Sequence, residues 1–194
     1  MESSKLTTIY LASDHAGFEL KEQIKTYLLL KNFEVSDLGP FSADRCDYPD
    51  FSEKLCSTMQ KSFLENEDEV VSSMNSNNLT TKNKQKNVDS EKLQKSEISK
   101  KIRPKCKGIL VCGSGIGISI AANKFKGIRC GLVHDEYTTK NALFHNNCNV
   151  IAMGGRIIGE EITKRIVDLF LSGEGTVDVK EEEVLKRIEE KYCL

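Results

Sequence analysis

The stretch that decides the fold runs from residue 108 to residue 124 and reads GILVCGSGIGISIAANK. Its continuous apolar run is typical of a buried strand, and the residues after the GSGIG turn have helical spacing. The glycines allow the backbone to approach a ligand closely, and an anion is the guest that such a turn favours. Cys112 ends the strand beside this turn, a position that favours the thiolate. We therefore regard Cys112 as a candidate nucleophile or base.

Apolar runs of strand length recur on both sides of this stretch, and each leads towards a segment with helical spacing. They are TTIYLA (7–12), FEVSDLG (33–39), GIRCGLVH (127–134) and NVIAMGG (149–155). Strands that alternate with helices indicate parallel strands joined by right-handed crossovers, and continuous apolar runs indicate a sheet covered on both faces. The chain is therefore predicted to be an α/β protein with an open, doubly wound sheet.

Ligands bind to such sheets beyond the carboxyl ends of the strands, and polar residues follow every predicted strand. They are Asp14 and His15, then Asp47 and Tyr48, then Cys112 to Gly117, then His134 and Asp135, and finally Arg156. We expect two of the three histidines (His15, His134 and His145) to lie in the site, although His145 could simply cap its helix.

Two other interpretations of the glycine turn remain open at this point. The turn could be a tight strand-to-helix connection without a ligand. It could also be a dinucleotide-binding fingerprint with Asp135 as the ribose ligand. The spacing is GxGxG rather than GxGxxG, and the turn follows the third strand, so the dinucleotide interpretation is the weaker one.

Composition excludes several classes of protein. The 194 residues carry a net charge of −1, which gives no basic field for nucleic acid or membrane binding. No apolar run reaches the length of a membrane span, and the amino terminus lacks the pattern of a signal peptide. The seven cysteines form no CxxC pair, so we expect reduced thiols, no zinc site and a cytoplasmic protein.

One segment differs in composition from the rest. Residues 61–105 contain no glycine and are dominated by Lys, Asn, Ser and Glu. Such a segment buries too little apolar surface to offset its ordering entropy. We predict a single domain over residues 1–194 with a largely disordered insertion at 61–105, whose start continues the preceding helix. A binding tail for an acidic partner is the functional alternative.

The motifs SDHAGFELK (13–21), DYPD (47–50), GILVCGSGIGISIAANK (108–124) and HNNCNVIAMGGRIIG (145–159) occur in this order. With them, the chain resembles the ribose-5-phosphate isomerase type B family, which also holds galactose 6-phosphate and allose 6-phosphate isomerases. The resemblance implies a three-layer α/β/α sandwich whose parallel sheet has five strands in the order 2-1-3-4-5. It further implies aldose–ketose interconversion through a cis-enediolate, without metal or organic cofactor.

The resemblance also assigns roles to residues of this chain. Cys112 matches the base and His145 the residue that opens the sugar ring, with Asp14 nearby. The implied substrate-binding residues are Asp14, His15, Tyr48, Gly113, Ser114, Gly115, Ile116, Gly117, Asn146 and Arg156. Ile118 stands where another branch of the family carries a glutamate, so the chain belongs with the cysteine branch. The expected partner is a sugar phosphate, bound at an interface of a homodimer or homotetramer.

One departure leaves the substrate open. Many relatives carry a pair of arginines near the carboxyl terminus that hold the phosphate, and here Lys180 and Arg187 are the nearest cations. Lys does not replace Arg in bidentate phosphate binding. Ribose 5-phosphate is the expected substrate, a hexose 6-phosphate is the runner-up, and a sugar-phosphate-binding protein without turnover is the alternative from another class.

Overall fold

A computed structural model describes residues 7–77, 106–172 and 179–192, and its centre is a five-stranded parallel sheet. The strands are β1 (Thr8–Ser13), β2 (Glu34–Asp37), β3 (Cys106–Cys112), β4 (Cys130–Leu132) and β5 (Val150–Gly154). The helices are α1 (Phe18–Leu30), α2 (Tyr48–Asn77), α3 (Ile116–Ala122), α4 (Glu136–Phe144), α5 (Glu160–Ser172) and α6 (Val179–Tyr192). The predicted α/β class and the parallel sheet are confirmed.

The order of the strands corrects one part of the expectation. The sheet runs β2-β1-β3-β5-β4, so the predicted order 2-1-3-4-5 is wrong in its last two places. Burial in the folded sheet agrees with the observed order, since every residue of β5 is buried, as an interior strand requires. In contrast, β4 has three residues of decreasing burial and ends at Leu132, which is 37% exposed. A short strand of this kind suits the edge of a sheet.

Two apolar clusters cover the two faces of the sheet. On one face, α1 and α5 contribute Ile24 and Phe170, which pack against β1, β3 and β5. On the other face, α2 and α3 contribute Met59 and Ile118. Gly108 allows α2 to approach β3, because a Cβ there would lie 2.9 Å from the Met59 sulfur. This three-layer packing fixes the carboxyl edge of the sheet on which the candidate site is built.

The segment at 61–105 begins as part of a helix. Its start continues the preceding helix as expected, and α2 extends to Asn77. Phe63 packs against the cluster between α2 and the sheet, and a helix that is already nucleated extends at little cost. The remainder of the predicted insertion, residues 78–105, lies outside the described residues.

Candidate functional site

The centre of the site is the sharp turn between β3 and α3. Gly115 has a φ of 80°, and a Cβ there would lie 2.6 Å from Leu132 and 2.9 Å from the backbone of Met153. Only glycine adopts this conformation in this space without strain. The turn folds back on the strand, so that the Gly115 N–H points at the Cys112 sulfur, 3.1 Å away.

Cys112 differs from the other buried cysteines in this contact. Burial raises the pKa of the Cys56 and Cys148 thiols to about 12 and that of Cys106 to about 11. Burial also raises the pKa of Cys130 well above its ordinary value. These thiols stay protonated at neutral pH. Cys112 is 4% exposed, and its sulfur accepts a hydrogen bond from the Gly115 N–H.

The end of β1 brings Asp14 and His15 to the same edge of the sheet. Asp14 is 6% exposed, its N–H bonds the Val111 carbonyl, and its Oδ1 accepts hydrogen bonds from the N–H groups of Ala16 and Gly17 at 2.9 and 3.0 Å. His15 is held through Nδ1, which lies 2.8 Å from the Cys46 carbonyl. The Cys46 N–H lies 3.4 Å from the same nitrogen, so the backbone of Cys46 holds the imidazole.

Tyr48 and Arg156 approach the glycine turn from its two sides. A Cβ on Gly117 would lie 2.8 Å from the Tyr48 ring, so this glycine makes room for the tyrosine. Arg156 lies beside Gly113, since a Cβ there would be 3.5 Å from Arg156 Nη1. The Arg156 N–H also bonds the Gly113 carbonyl at 3.1 Å. A guanidinium in this position can balance the charge of an anion at the turn.

Ser114 and Ile116 complete the predicted turn. The Ser114 hydroxyl accepts a hydrogen bond from the Ile116 N–H at 3.3 Å, so its own proton is available to a ligand. The first turn of a helix leaves N–H groups without intrahelical partners, and the Gly117 N–H is one of these donors. The structure therefore brings together ten of the twelve sequence-predicted residues. They are Asp14, His15, Tyr48, Cys112, Gly113, Ser114, Ile116, Gly117, Gly115 and Arg156.

His145 and Asn146 are the two predicted residues that lie elsewhere. Helix α4 starts at the carboxyl edge after β4 and returns to the amino edge, where His145 follows its last residue as the C-cap. The chain then reaches Asn149, whose N–H bonds the carbonyl of Arg129 just before β4. Both predicted residues are exposed. Within one copy they are at the opposite edge from Cys112, because a helix that follows a parallel strand must run back along it.

His134 is a site residue absent from the predicted binding and catalytic set. Its Nε2 lies 3.2 Å from the carbonyl oxygen of Ser114, inside the glycine turn. The sequence signal was its place directly after the fourth strand. That signal could not show which group the imidazole would contact.

A buried ion pair supports the neighbouring loop. Lys21 is fully buried, and its ammonium lies 2.9 Å from both carboxylate oxygens of Asp37 and also contacts Glu22. Asp37 Oδ1 accepts a hydrogen bond from the Gly39 N–H, and the Gly39 carbonyl accepts one from Ser13 at the end of β1. Burial disfavours the charge on Asp37, but bonds from Lys25, Lys21 and Gly39 outweigh it and lower its pKa.

Within the described ranges, no group of three or more His, Cys, Asp or Glu side chains is arranged to hold a metal ion. No helix in the same part of the chain is long and apolar enough to cross a membrane.

Known proteins resemble the chain over most of its length. Ribose-5-phosphate isomerase B of Escherichia coli is 31% identical over 166 residues, which cover 86% of this chain and 84% of that protein. A probable ribose-5-phosphate isomerase B of Mycoplasma pneumoniae is 34% identical and covers 86% and 83% of the two chains. A ribose 5-phosphate isomerase structure from Thermotoga maritima has a TM-score of 0.66 and 34% identity, over 95% and 98% of the two chains.

A further structure comes from Mycoplasma genitalium, a ribose-5-phosphate isomerase B with bound ribulose-5-phosphate. It has a TM-score of 0.66 and 29% identity over 95% of each chain. The fold, the glycine turn that follows Cys112, and the similar proteins together define this protein as an α/β isomerase. The model of the Ribose/Galactose Isomerase family matches residues 9–103 and 67–190. The chain belongs to this family.

Proposed function

We propose that the chain interconverts ribose 5-phosphate and ribulose 5-phosphate, with Cys112 as the base and without metal or organic cofactor. The observation that carries the proposal is the 3.1 Å contact between the Cys112 sulfur and the Gly115 N–H, at the carboxyl end of β3. The bound ribulose-5-phosphate of the Mycoplasma genitalium relative supports this choice of substrate. Reduced thiols and the composition favour a cytoplasmic enzyme.

The proposed reaction moves one proton between two carbons. The Cys112 thiolate removes the proton from C2 of the open-chain aldose, and the C–H electron pair forms the C1–C2 double bond of a cis-enediolate. The negative charge develops on O1, where the N–H groups of the Gly113–Gly117 turn and the Ser114 hydroxyl stabilise it. The thiol returns its proton to C1, a proton moves from O2 to O1, and the ketose results.

Ring opening needs a second acid–base group, for which we propose His145 of another copy of the chain. His145 and Asn146 are exposed at the amino edge, so they reach Cys112 only if a second copy presents them. In this arrangement His145 transfers the ring proton and Asn146 binds the sugar hydroxyls. Asp14, already at the end of β1, assists the ring opening, and His15 contacts the phosphate or the ring oxygen.

The surface around the glycine turn supports an interface between copies. Ile116 and Ile120 are more than half exposed on one face of α3, and Tyr137 is 77% exposed at the start of α4. Leu132 and Ile157 flank Gly115 and Gly154 with exposed apolar surface. A dimer or tetramer would cover this surface, which is costly to leave in water. The predicted homo-oligomer therefore remains our proposal.

The cation that holds the phosphate is the open part of the proposal. Arg156 lies at the turn and can bind an anion. Arg187 on α6 is exposed, and among the described residues it is our candidate to take the place of the missing arginine pair. This departure keeps a hexose 6-phosphate as a second candidate substrate. It also keeps a non-catalytic sugar-phosphate-binding protein as the alternative from another class.

Turnover of ribose 5-phosphate by metal-free protein tests the proposal, with Cys112→Ala measured beside the wild type. Activity that is lost in the variant supports both the substrate and the base. Cys148→Ala is the matched control, because this thiol is buried away from the turn and should be dispensable for chemistry. If the wild-type protein turns over only hexose 6-phosphates, the proposed substrate is wrong. If it binds sugar phosphates without turning them over, the proposed catalytic function is wrong.

A further inference from the structure

We propose that His134 is a positioning residue that stabilises the Cys112 thiolate through one intervening peptide group. The peptide group is the one that joins Ser114 to Gly115. The inference rests on the proposed function, in which this thiolate removes the substrate proton. It assigns a role to a histidine whose imidazole contacts the Ser114 carbonyl.

Hydrogen bonds hold both ends of this peptide group. Its oxygen, the Ser114 carbonyl, lies 3.2 Å from His134 Nε2, and its N–H, that of Gly115, lies 3.1 Å from the Cys112 sulfur. A carbonyl only accepts, so Nε2 must carry the proton, in the neutral tautomer or in the imidazolium. A donor on the carbonyl polarises the peptide and strengthens the hydrogen bond that its N–H makes. The imidazole thus favours the thiolate without touching it.

The start of α4 holds the backbone of His134 beside the turn. The His134 N–H donates to the Thr138 hydroxyl at 3.2 Å, and Asp135 caps the helix by accepting from the Thr138 N–H at 2.6 Å. On the other side, Ser114 is packed against β5, since a Cβ on Gly154 would lie 2.9 Å from the Ser114 oxygen. The backbones of His134 and Ser114 are therefore both held in place.

The charged groups on the adjoining elements are few. Asp135 and Glu136 begin α4, where Glu136 pairs with Arg165 of α5 at 3.5 Å. Arg156 follows β5 beside the turn, and Asp14 follows β1. None of these groups is altered in the variants below, so their effect on the thiol is common to all of them.

The test is the rate at which iodoacetamide modifies Cys112 as a function of pH, followed by mass spectrometry of the peptide that contains it. In His134→Ala we expect the rate at neutral pH to fall about three-fold, and the midpoint of the profile to move up by about half a pH unit. His134→Gln places an amide Nε2 donor the same number of bonds from Cα, so it should restore most of the rate. In turnover, kcat should follow the rate of modification while KM stays unchanged.

Thr138→Val is the matched control, because it loosens the same turn but keeps the imidazole. It should leave the profile unchanged. The proposal is overturned if His134→Ala keeps the wild-type profile, if Thr138→Val shifts it as far, or if His134→Gln restores nothing. The thiol is titrated without substrate, so a protein that lacks isomerase activity can still show the shift. An active isomerase can equally fail to show it, and the two proposals are therefore tested separately.

Discussion

Mixing two inactive variants tests whether Cys112 and His145 act together across two copies of the chain. The perturbation is Cys112→Ala in one copy and His145→Ala in the other, refolded together in equal amounts. Each variant alone lacks one of the two proposed groups at every site. A mixed pair, however, contains one site in which both groups are intact, because each group is contributed by a different copy.

The magnitude follows from the geometry. Cys112 is paired with Gly154 at the carboxyl end of β5, while His145 precedes Val150 at its amino end. Four residue steps of a strand span about 13 Å, which is beyond the reach of an imidazole. A productive site therefore needs an intact cysteine from one copy and an intact histidine from another, and random mixing supplies that in about a quarter of the sites.

The assay is turnover of ribose 5-phosphate by the mixture, by each variant alone, and by wild-type protein treated in the same way. We expect about a quarter of the wild-type rate from the mixture and little from either variant by itself. A mixture that is no more active than the two variants measured separately would refute the shared site. Sedimentation at the assay concentration checks that the copies are associated.

Three further outcomes follow from single contacts. Gly17→Ala should destabilise the fold by about 2 kcal/mol in urea unfolding, because its Cβ would lie 2.5 Å from a carbonyl oxygen of β3. Gly159→Ala has nothing within 4 Å of the new carbon and should cost much less; equal losses would contradict the reasoning. The pKa of Asp37 is lowered in the folded protein, so its ion pair should stabilise the fold above about pH 4, and this contribution should be lost as the pH falls through the lowered pKa. If the free energy of unfolding of Asp37→Asn depends on acid pH in the same way as that of the wild type, the reasoning is contradicted. The Cys56 and Cys148 thiols should resist iodoacetamide in the native protein at neutral pH and react after unfolding, and their fast native modification would show that the core opens.

Much of the fold could be predicted from local pattern. The apolar runs at β1, β3 and β5 are long and continuous, and burial on both faces of the sheet is the reason. The edge of the sheet that carries the site followed from the same pattern, because all parallel strands end on one side. Gly115 could be placed in a tight turn for the same local reason, and its φ of 80° agrees.

The order of the outer strands could not be predicted in this way. Both β4 and β5 are apolar in sequence, and the crossover from β3 to β4 leaves room for another strand without any local signal. What distinguishes the two strands is their burial in the folded sheet, which is complete for β5 and decreasing along β4. The sequence predicted that the start of the 61–105 segment continues the preceding helix, but composition does not reveal that α2 extends as far as Asn77.

The sequence by itself determined the alternation of strands and helices, the thiol at the end of β3 and the glycine turn that follows it. These features depend on residues that are close in the chain, where periodicity and backbone geometry act directly. Tertiary structure alone decided that His145 lies away from Cys112 and that His134 contacts the Ser114 carbonyl. It also decided that Lys21 is fully buried against Asp37. Such contacts join distant parts of the chain, and only the packing of helices on the sheet sets which side chains meet.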